Sequence, residues 1–182
     1  MNKLNRILGY INATKYMGIV LESYKDIAIF AYVDASYAVH WDFRSQTGGI
    51  ITLGKGPIWC KSSRQKLNSK SSTEAELIAV SDTLSQIIWT RDFLLEQGYE
   101  VGPATLFQDN LSTIALANRG ASNTINTRHV AIRFFFVTDR IKKGEVKIEH
   151  LGTSLMTADM LTKPLQGELF RKFRRLLLNW DE

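Results

Sequence analysis

Residues 27–34 read IAIFAYVD, a near-continuous apolar run with β-branched and aromatic members that stops at an acid. This is the pattern of a strand covered on both faces, as at the centre of an α/β sheet. Working outward, Gly48-Gly49 leads into IITL (50–53), a turn spans Gly54 to Pro57, and IWC (58–60) forms a third strand. Three strands with short connections predict an antiparallel meander. From Ser71 to about Gln97 there is neither Gly nor Pro, and Leu77, Val80, Leu84, Ile87, Ile88, Leu94 and Leu95 fit a helical stripe that Gly98 stops. TLFQ (105–108) is a short strand ending at Asp109-Asn110, and a helix follows over 111–118. Within 127–143 the run AIRFFFV has a strand's composition, but Val130, Phe134, Val137 and Ile141 share one helical face, which predicts a helix ended by Gly144. EVKIEHL (145–151) alternates as a strand, and a last helix runs from about Leu165 to Asn179. The order β-β-β-α-β-α-α-β-α predicts an α/β fold: a mixed five-stranded sheet, three antiparallel strands then two more, with helices packed on it. Ahead of it, Leu4, Ile7, Leu8 and Ile11 form the stripe of a short helix whose apolar face has no continuation in sequence. Trp59 and Trp89 are expected in the core.

Composition agrees with such a fold. A chain of 182 residues, 45% hydrophobic and 23% charged, is long enough for one domain with a buried core, which excludes disorder and collagen-like repeats. The start MNKLNRILGY lacks a signal peptide's apolar stretch, and no apolar run reaches bilayer length, so no membrane association is expected. Cys60 is the one cysteine, which excludes an internal disulfide and a cysteine metal cage and fits an intracellular protein. The net charge of +5 and pI near 9.3 lean toward a polyanionic partner. The basic residues cluster in 61–70, in 128–147 and at Arg171, Lys172, Arg174 and Arg175.

Four acids stand where acids are costly. Asp34 ends the most apolar strand, and Asp109 ends the strand after the long helix; in α/β sheets, sites form beyond the carboxyl ends of strands. Their competing roles are a turn residue at Asp34 and a helix N-cap at Asp109-Asn110. In SSTEAELIAV (71–80), Glu74 and Glu76 lie about 200° apart on a helix and cannot face one site. Glu76 shares the stripe of Val80, Ile87 and Leu94, so it needs a partner or a metal. Glu74 can close a capping box with Ser71 instead. Asp159, in TADMLTKPL (157–165), is the fourth. Oxygen-only ligands select magnesium or manganese, and two such ions about 4 Å apart suit phosphodiester hydrolysis. The residues alone point to a metal-dependent nuclease.

YVDASYA, GGIITLGKGPIWCKSSRQK, SSTEAELIAV, QDNLSTIAL, HVAIRFFFV and ADMLTKPL together strongly resemble the ribonuclease H domain of copia-type LTR retrotransposon Pol polyproteins, in the family's order. SSTEAE with ADMLTKP is specific in combination. The resemblance implies three segments: residues 1–25 as the tail of the reverse transcriptase or connection region, 26–166 as a ribonuclease H-like domain, and 167–182 as a basic C-terminal helix. It places Asp34, Glu76, Asp109 and Asp159 on the family's catalytic, metal-binding acids, holding two Mg²⁺ ions for which Mn²⁺ can substitute. In the family scheme Asp34 bridges both ions, Asp159 helps hold the ion carrying the nucleophilic water, and Glu76 and Asp109 hold the other. The implied reaction is cleavage of the RNA strand of an RNA–DNA hybrid, read through its 2′-hydroxyls and not its bases.

Nucleic-acid contacts are expected from Lys61, Arg64, Lys66 and Lys70, from Ser71 and Ser72 at the start of the Glu76 helix, and from Asn110. His150, nine residues before Asp159, is the one candidate for the proton-transfer or product-release histidine of many ribonucleases H, with a structural role as its rival. His129 lies in a segment where Ala131 and Phe135 replace the family's usual acid and histidine. The implied partners are the hybrid and the reverse transcriptase region of the same polyprotein, in the cytoplasmic particle of a retroelement with a route to the nucleus. A non-catalytic module that binds hybrid for the polymerase is the alternative. An integrase- or resolvase-like nuclease fits the motifs less well.

Overall fold

The computed structural model describes residues 2–23, 25–119 and 128–180. In chain order the elements are α1 (Lys3–Thr14), β1 (Glu22–Ser23), β2 (Phe30–Ser36), β3 (Gln46–Thr52), β4 (Gly54–Lys55), β5 (Pro57–Arg64), α2 (Ser72–Glu96), β6 (Ala104–Gln108), α3 (Leu111–Arg119), α4 (Arg128–Lys142), β7 (Val146–His150), α5 (Asp159–Thr162) and α6 (Gly167–Leu178). A five-stranded sheet runs β5-β3-β2-β6-β7, while β1 and β4 pair separately. The strands β2, β3 and β5 form the antiparallel meander, and β6 and β7 join parallel to β2. This is the expected mixed sheet.

Side-chain alternation along β2 feeds two cores. Ala31, Val33 and Ala35 enter the larger, with Leu77, Val80, Leu84 and Ile87 of α2 and Val130, Phe134 and Val137 of α4. On the other face Tyr32 and Phe107 pack with Ile50, Met156, Ala158, Leu161 and Leu177. Both faces of β2 are thus covered, which is why its sequence reads as a continuous apolar run.

Three expectations need correction. The strand expected over 50–53 begins at Gln46, so Gly48 and Gly49 lie inside β3. They are glycines because helices approach the sheet there. A Cβ at Gly48 would sit 2.8 Å from Thr162 Cγ2 and 2.9 Å from the Ala158 carbonyl oxygen, and one at Gly49 would sit 2.7 Å from Thr83 Oγ1. The strand expected over 58–60 runs on to Arg64, which puts Lys61 and Arg64 on a strand and not in a loop. As the sheet edge, β5 leaves the polar run Lys61 to Arg64 partly or fully in solvent, so its sequence does not look like a strand. Trp89 is not in the core: it is 60% exposed and stacks on Phe93, one turn on, at 5.6 Å.

The N-terminal helix α1 buries none of its residues, leaving Leu4, Ile7, Leu8 and Ile11 exposed; Tyr10 meets Phe170 of α6 edge-on at 5.9 Å. The basic helix α6 is anchored by fully buried Phe173. Among the described residues no helix is long and apolar enough to cross a membrane.

Candidate active site

Parallel pairing of β2 with β6 runs Phe30–Thr105, Ala31–Leu106, Tyr32–Phe107. Two further steps of that register set Asp34 beside Asp109, at the carboxyl ends of both strands. The long helix α2 starts over this edge and brings Glu76 in from its first turns. Ligand oxygens of Asp34, Glu76 and Asp109 lie within 4.8 Å of one another. Asp34 is 1% and Glu76 6% exposed, so their charge is withheld from water.

Local hydrogen bonds decide which acid is free for the cluster. Glu74 caps its own helix: its amide donates to Ser71 Oγ (3.2 Å) and its carboxylate accepts from the Lys70 amide (2.7 Å). Likewise Asn110, not Asp109, caps α3, its Oδ1 accepting from the Thr113 amide at 3.1 Å. Both helix starts are satisfied, and Glu76 and Asp109 remain for other work. Fully buried Gln108 ties them together. Its Nε2 donates to Glu76 (3.1 Å), while its Oε1 accepts from the amides of Asp109 (2.8 Å) and Asn110 (3.0 Å). Thr153 Oγ1 donates to Asp109 Oδ2 at 3.0 Å.

Asp159 stands apart from this cluster. It opens α5 and is 4% exposed, yet it faces Lys163, whose Nζ lies 2.8 Å from Asp159 Oδ1 and 3.5 Å from Asp34 Oδ1. The Thr162 hydroxyl donates to Asp34 Oδ2. The four acids are therefore arranged as three that converge and one held by an internal cation.

Burial raises two of the converging carboxylates, Glu76 and Asp34. Glu76 is pushed up to about 8, chiefly by loss of hydration and then by the negative charge of Asp34, with Gln108 opposing. Asp34 is raised to about 6 by burial, against the Thr162 hydrogen bond and the Lys163 charge. A cation bound among them would favour the charged forms that burial disfavours.

The other expected residues are placed as follows. Lys61, Lys66, Lys70, Ser71 and Ser72 are exposed, and Arg64 is ion-paired with Asp42 at 3.1 Å. Lys66 lines a groove with His129, Ile132, Arg133 and Phe136 that is separate from the acids. His150 is exposed at the end of β7, in register with Gln108. His40 Nε2 donates to Gln46 Oε1 at 2.9 Å. Sequence reasoning missed Gln108, Thr153, Thr162 and Lys163. The Asp159–Lys163 spacing of four was a readable signal, because residues four apart across a helical turn come within reach of each other, here with Lys163 just past the helix end.

Solved structures with this fold include LC11-RNase H1 in complex with an RNA/DNA hybrid, with a TM-score of 0.55 at 14% identity over 73% of this chain and 92% of that one. The foamy viral protease-reverse transcriptase in complex with RNA/DNA hybrid matches at 0.53 and 16% identity, over 77% of this chain and 19% of that one. The fold is thus that of the ribonucleases H. In sequence, the retrovirus-related Pol polyprotein from transposon RE2 of Arabidopsis thaliana is 33% identical over 96% of the chain. The corresponding polyprotein from transposon TNT 1-94 of Nicotiana tabacum is 31% identical over 84%. The chain belongs to this family of copia-type Pol polyproteins, as a ribonuclease H-fold segment of it. It spans 12% of the length of the RE2 polyprotein and 11% of the tobacco one. No family model matches the chain.

Proposed function

We propose that the chain is a metal-dependent endoribonuclease that degrades the RNA strand of RNA–DNA hybrids during reverse transcription of a retrotransposon. The observation that carries this reading is the convergence of Asp34, Glu76 and Asp109, two of them buried, at the carboxyl edge of a ribonuclease H-type sheet. The donor set fits hard cations: every ligand is a carboxylate oxygen, and neither histidine nor thiolate is among them. Asp34, Glu76 and Asp109 would hold a first Mg²⁺ or Mn²⁺, and Asp34 with Asp159 a second. When bound, the pair of ions supplies activation of the attacking water and charge stabilisation at the scissile phosphate.

The chain's own residues do the rest. Gln108 fixes the direction of Glu76 while holding the Asp109 backbone in place, and Thr153 and Thr162 orient Asp109 and Asp34. Exposed Lys61, Lys66 and Lys70 supply diffuse attraction for phosphates, as do the Ser71 and Ser72 hydroxyls at the head of α2. Arg64 joins them only by leaving Asp42, and Asn110 only by leaving its cap. Hybrid specificity rests on groove shape and 2′-hydroxyls. We assign residues 1–25 to the end of the reverse transcriptase region, as the sequence resemblance implies. The working compartment is the intracellular retroelement particle.

A labelled RNA–DNA hybrid incubated with the chain in Mg²⁺ or Mn²⁺ tests the proposal, with single-stranded RNA and both homoduplexes as controls. Cutting confined to the RNA strand of the hybrid, and dependent on metal, supports it. A folded chain that binds hybrid yet leaves it intact, even with the polymerase region attached, indicates the non-catalytic module instead.

A further inference from the structure

We infer that Lys163 is an internal counter-cation of the acid centre, holding Asp159 and Asp34 in the metal-free protein and competing with the second divalent ion for them. The inference rests on the proposed reading of the acids as metal ligands, and adds a residue to which that reading gives no part.

Geometry carries it. The Lys163 ammonium sits between two almost fully buried carboxylates, 2.8 Å from Asp159 and 3.5 Å from Asp34. Its pairing draws Asp159 out of the converging set, which among the described residues contains Asp34, Glu76 and Asp109 only. The backbone explains how it gets there. Lys163 follows the last residue of α5 in an extended conformation, with its amide donating to the Asp159 carbonyl at 2.8 Å. Pro164 stops the helix and favours that extended conformation at Lys163. The side chain therefore folds back over the first turn. It is also 37% exposed, so water is open to the ammonium when it leaves.

The two halves of the site then differ in their metal-free state. Among the described residues Glu76 and Asp109 form no ion pair, and they meet a first ion without breaking one. A second ion that takes Asp159 must break the 2.8 Å pair and sit close to a fixed positive charge unless Lys163 swings out. Like charges at such distances repel by energies worth a factor of ten or more in binding. Lys163 thus sets the metal concentration at which the second site fills, and keeps the buried acids paired when metal is scarce.

Mn²⁺ titration of the whole chain, reading free Mn²⁺ by electron paramagnetic resonance, tests this without reference to cleavage. Wild type should show a tight and a weak class. Lys163→Met should tighten the weak class by about tenfold or more and lower the metal-free melting temperature, widening the gap between metal-free and Mn²⁺-saturated melting. Lys163→Arg should restore both values toward wild type. A weak class that is unchanged or weakened in Lys163→Met overturns the inference while leaving the metal centre standing. No Mn²⁺ bound by any of the three proteins overturns the metal centre and the inference with it.

Discussion

Asp109 follows a strand, accepts a hydrogen bond from a threonine hydroxyl, and faces Glu76 and Asp34, with no ion pair of its own among the described residues. Asp159, on the same edge of the sheet, opens a four-residue helix whose next residue after the last turn is the lysine that neutralises it. The first side of the site is built on long, well-packed elements that hold unpaired acids in place at a cost in hydration. The second is built on a short helix that brings its own charge partner. A rigid frame can hold a group away from its most stable electrostatic state, and a short helix cannot. The site is therefore strained toward a cation on one side and already satisfied on the other.

The harshest way to break this contrast is to remove an acid from the rigid side. Asp109→Asn leaves the fold and the Thr153 contact largely in place and should lower hybrid cleavage by on the order of 10³-fold or more, measured as initial rate at saturating Mg²⁺.

Two adjacent glycines separate the sides next. Gly48 touches α5 and Gly49 touches α2. A methyl group at Gly48 pushes α5, and with it Asp159 and Lys163, off the sheet. Gly48→Ala should therefore reduce cleavage about ten- to a hundredfold, alongside a stability loss of about 1–3 kcal/mol. Gly49→Ala should show a similar stability loss in denaturant melts and a much smaller loss of cleavage. Equal losses of cleavage in both variants would erase the distinction.

The pH dependence of metal-free stability sharpens the comparison. Glu76 near 8 and Asp34 near 6 both lie above their ordinary values of 4.5 and 3.8. The folded protein therefore binds more protons than the unfolded chain between about pH 4 and pH 8, so stability falls as pH rises through that window. This contribution is fully present below the unfolded values and is lost as pH passes the folded ones. Melting followed by circular dichroism from pH 4.5 to 8.5 should show the fall. Glu76→Gln should flatten it, most of all above pH 6, and saturating Mg²⁺ should do the same in the wild type by pairing the charged form. A profile unchanged by Glu76→Gln would place the titrating group elsewhere.

The smallest effect belongs to His150. Exposed in solvent at the end of β7, it should change the cleavage rate less than twofold when replaced by alanine.

Much of this was readable in the sequence for a physical reason in each case. IAIFAYVD betrays a strand buried on both faces because its side chains enter an apolar core on each side, and the stripe of α2 singles out Glu76 because an acid interrupts it. The Asn110 cap and the Ser71–Glu74 pair obey local rules that sequence carries directly. The polar half of edge strand β5 escaped because an uncovered strand needs no apolar alternation, and Gly48-Gly49 was placed ahead of its strand because close approach by distant helices is a tertiary fact. Trp89 was expected in the core as a large aromatic residue, yet stacking on Phe93 gives it partial shelter at the surface. The role of Lys163 emerges only where α5 and Lys163 after it fold over Asp34, Lys163 lying 129 residues along the chain from that acid.

The most direct test of the whole account is a calorimetric Mg²⁺ titration of the wild-type chain and of Glu76→Gln at pH 6 and pH 8. Wild type should bind Mg²⁺, more tightly at pH 8, with proton release at pH 6 that varies with the buffer's ionisation heat. Glu76→Gln should bind more weakly at both and lose most of the pH dependence. Wild-type binding that is absent, or that Glu76→Gln leaves unaltered at both pH values, would contradict the assignment of these acids as a metal centre.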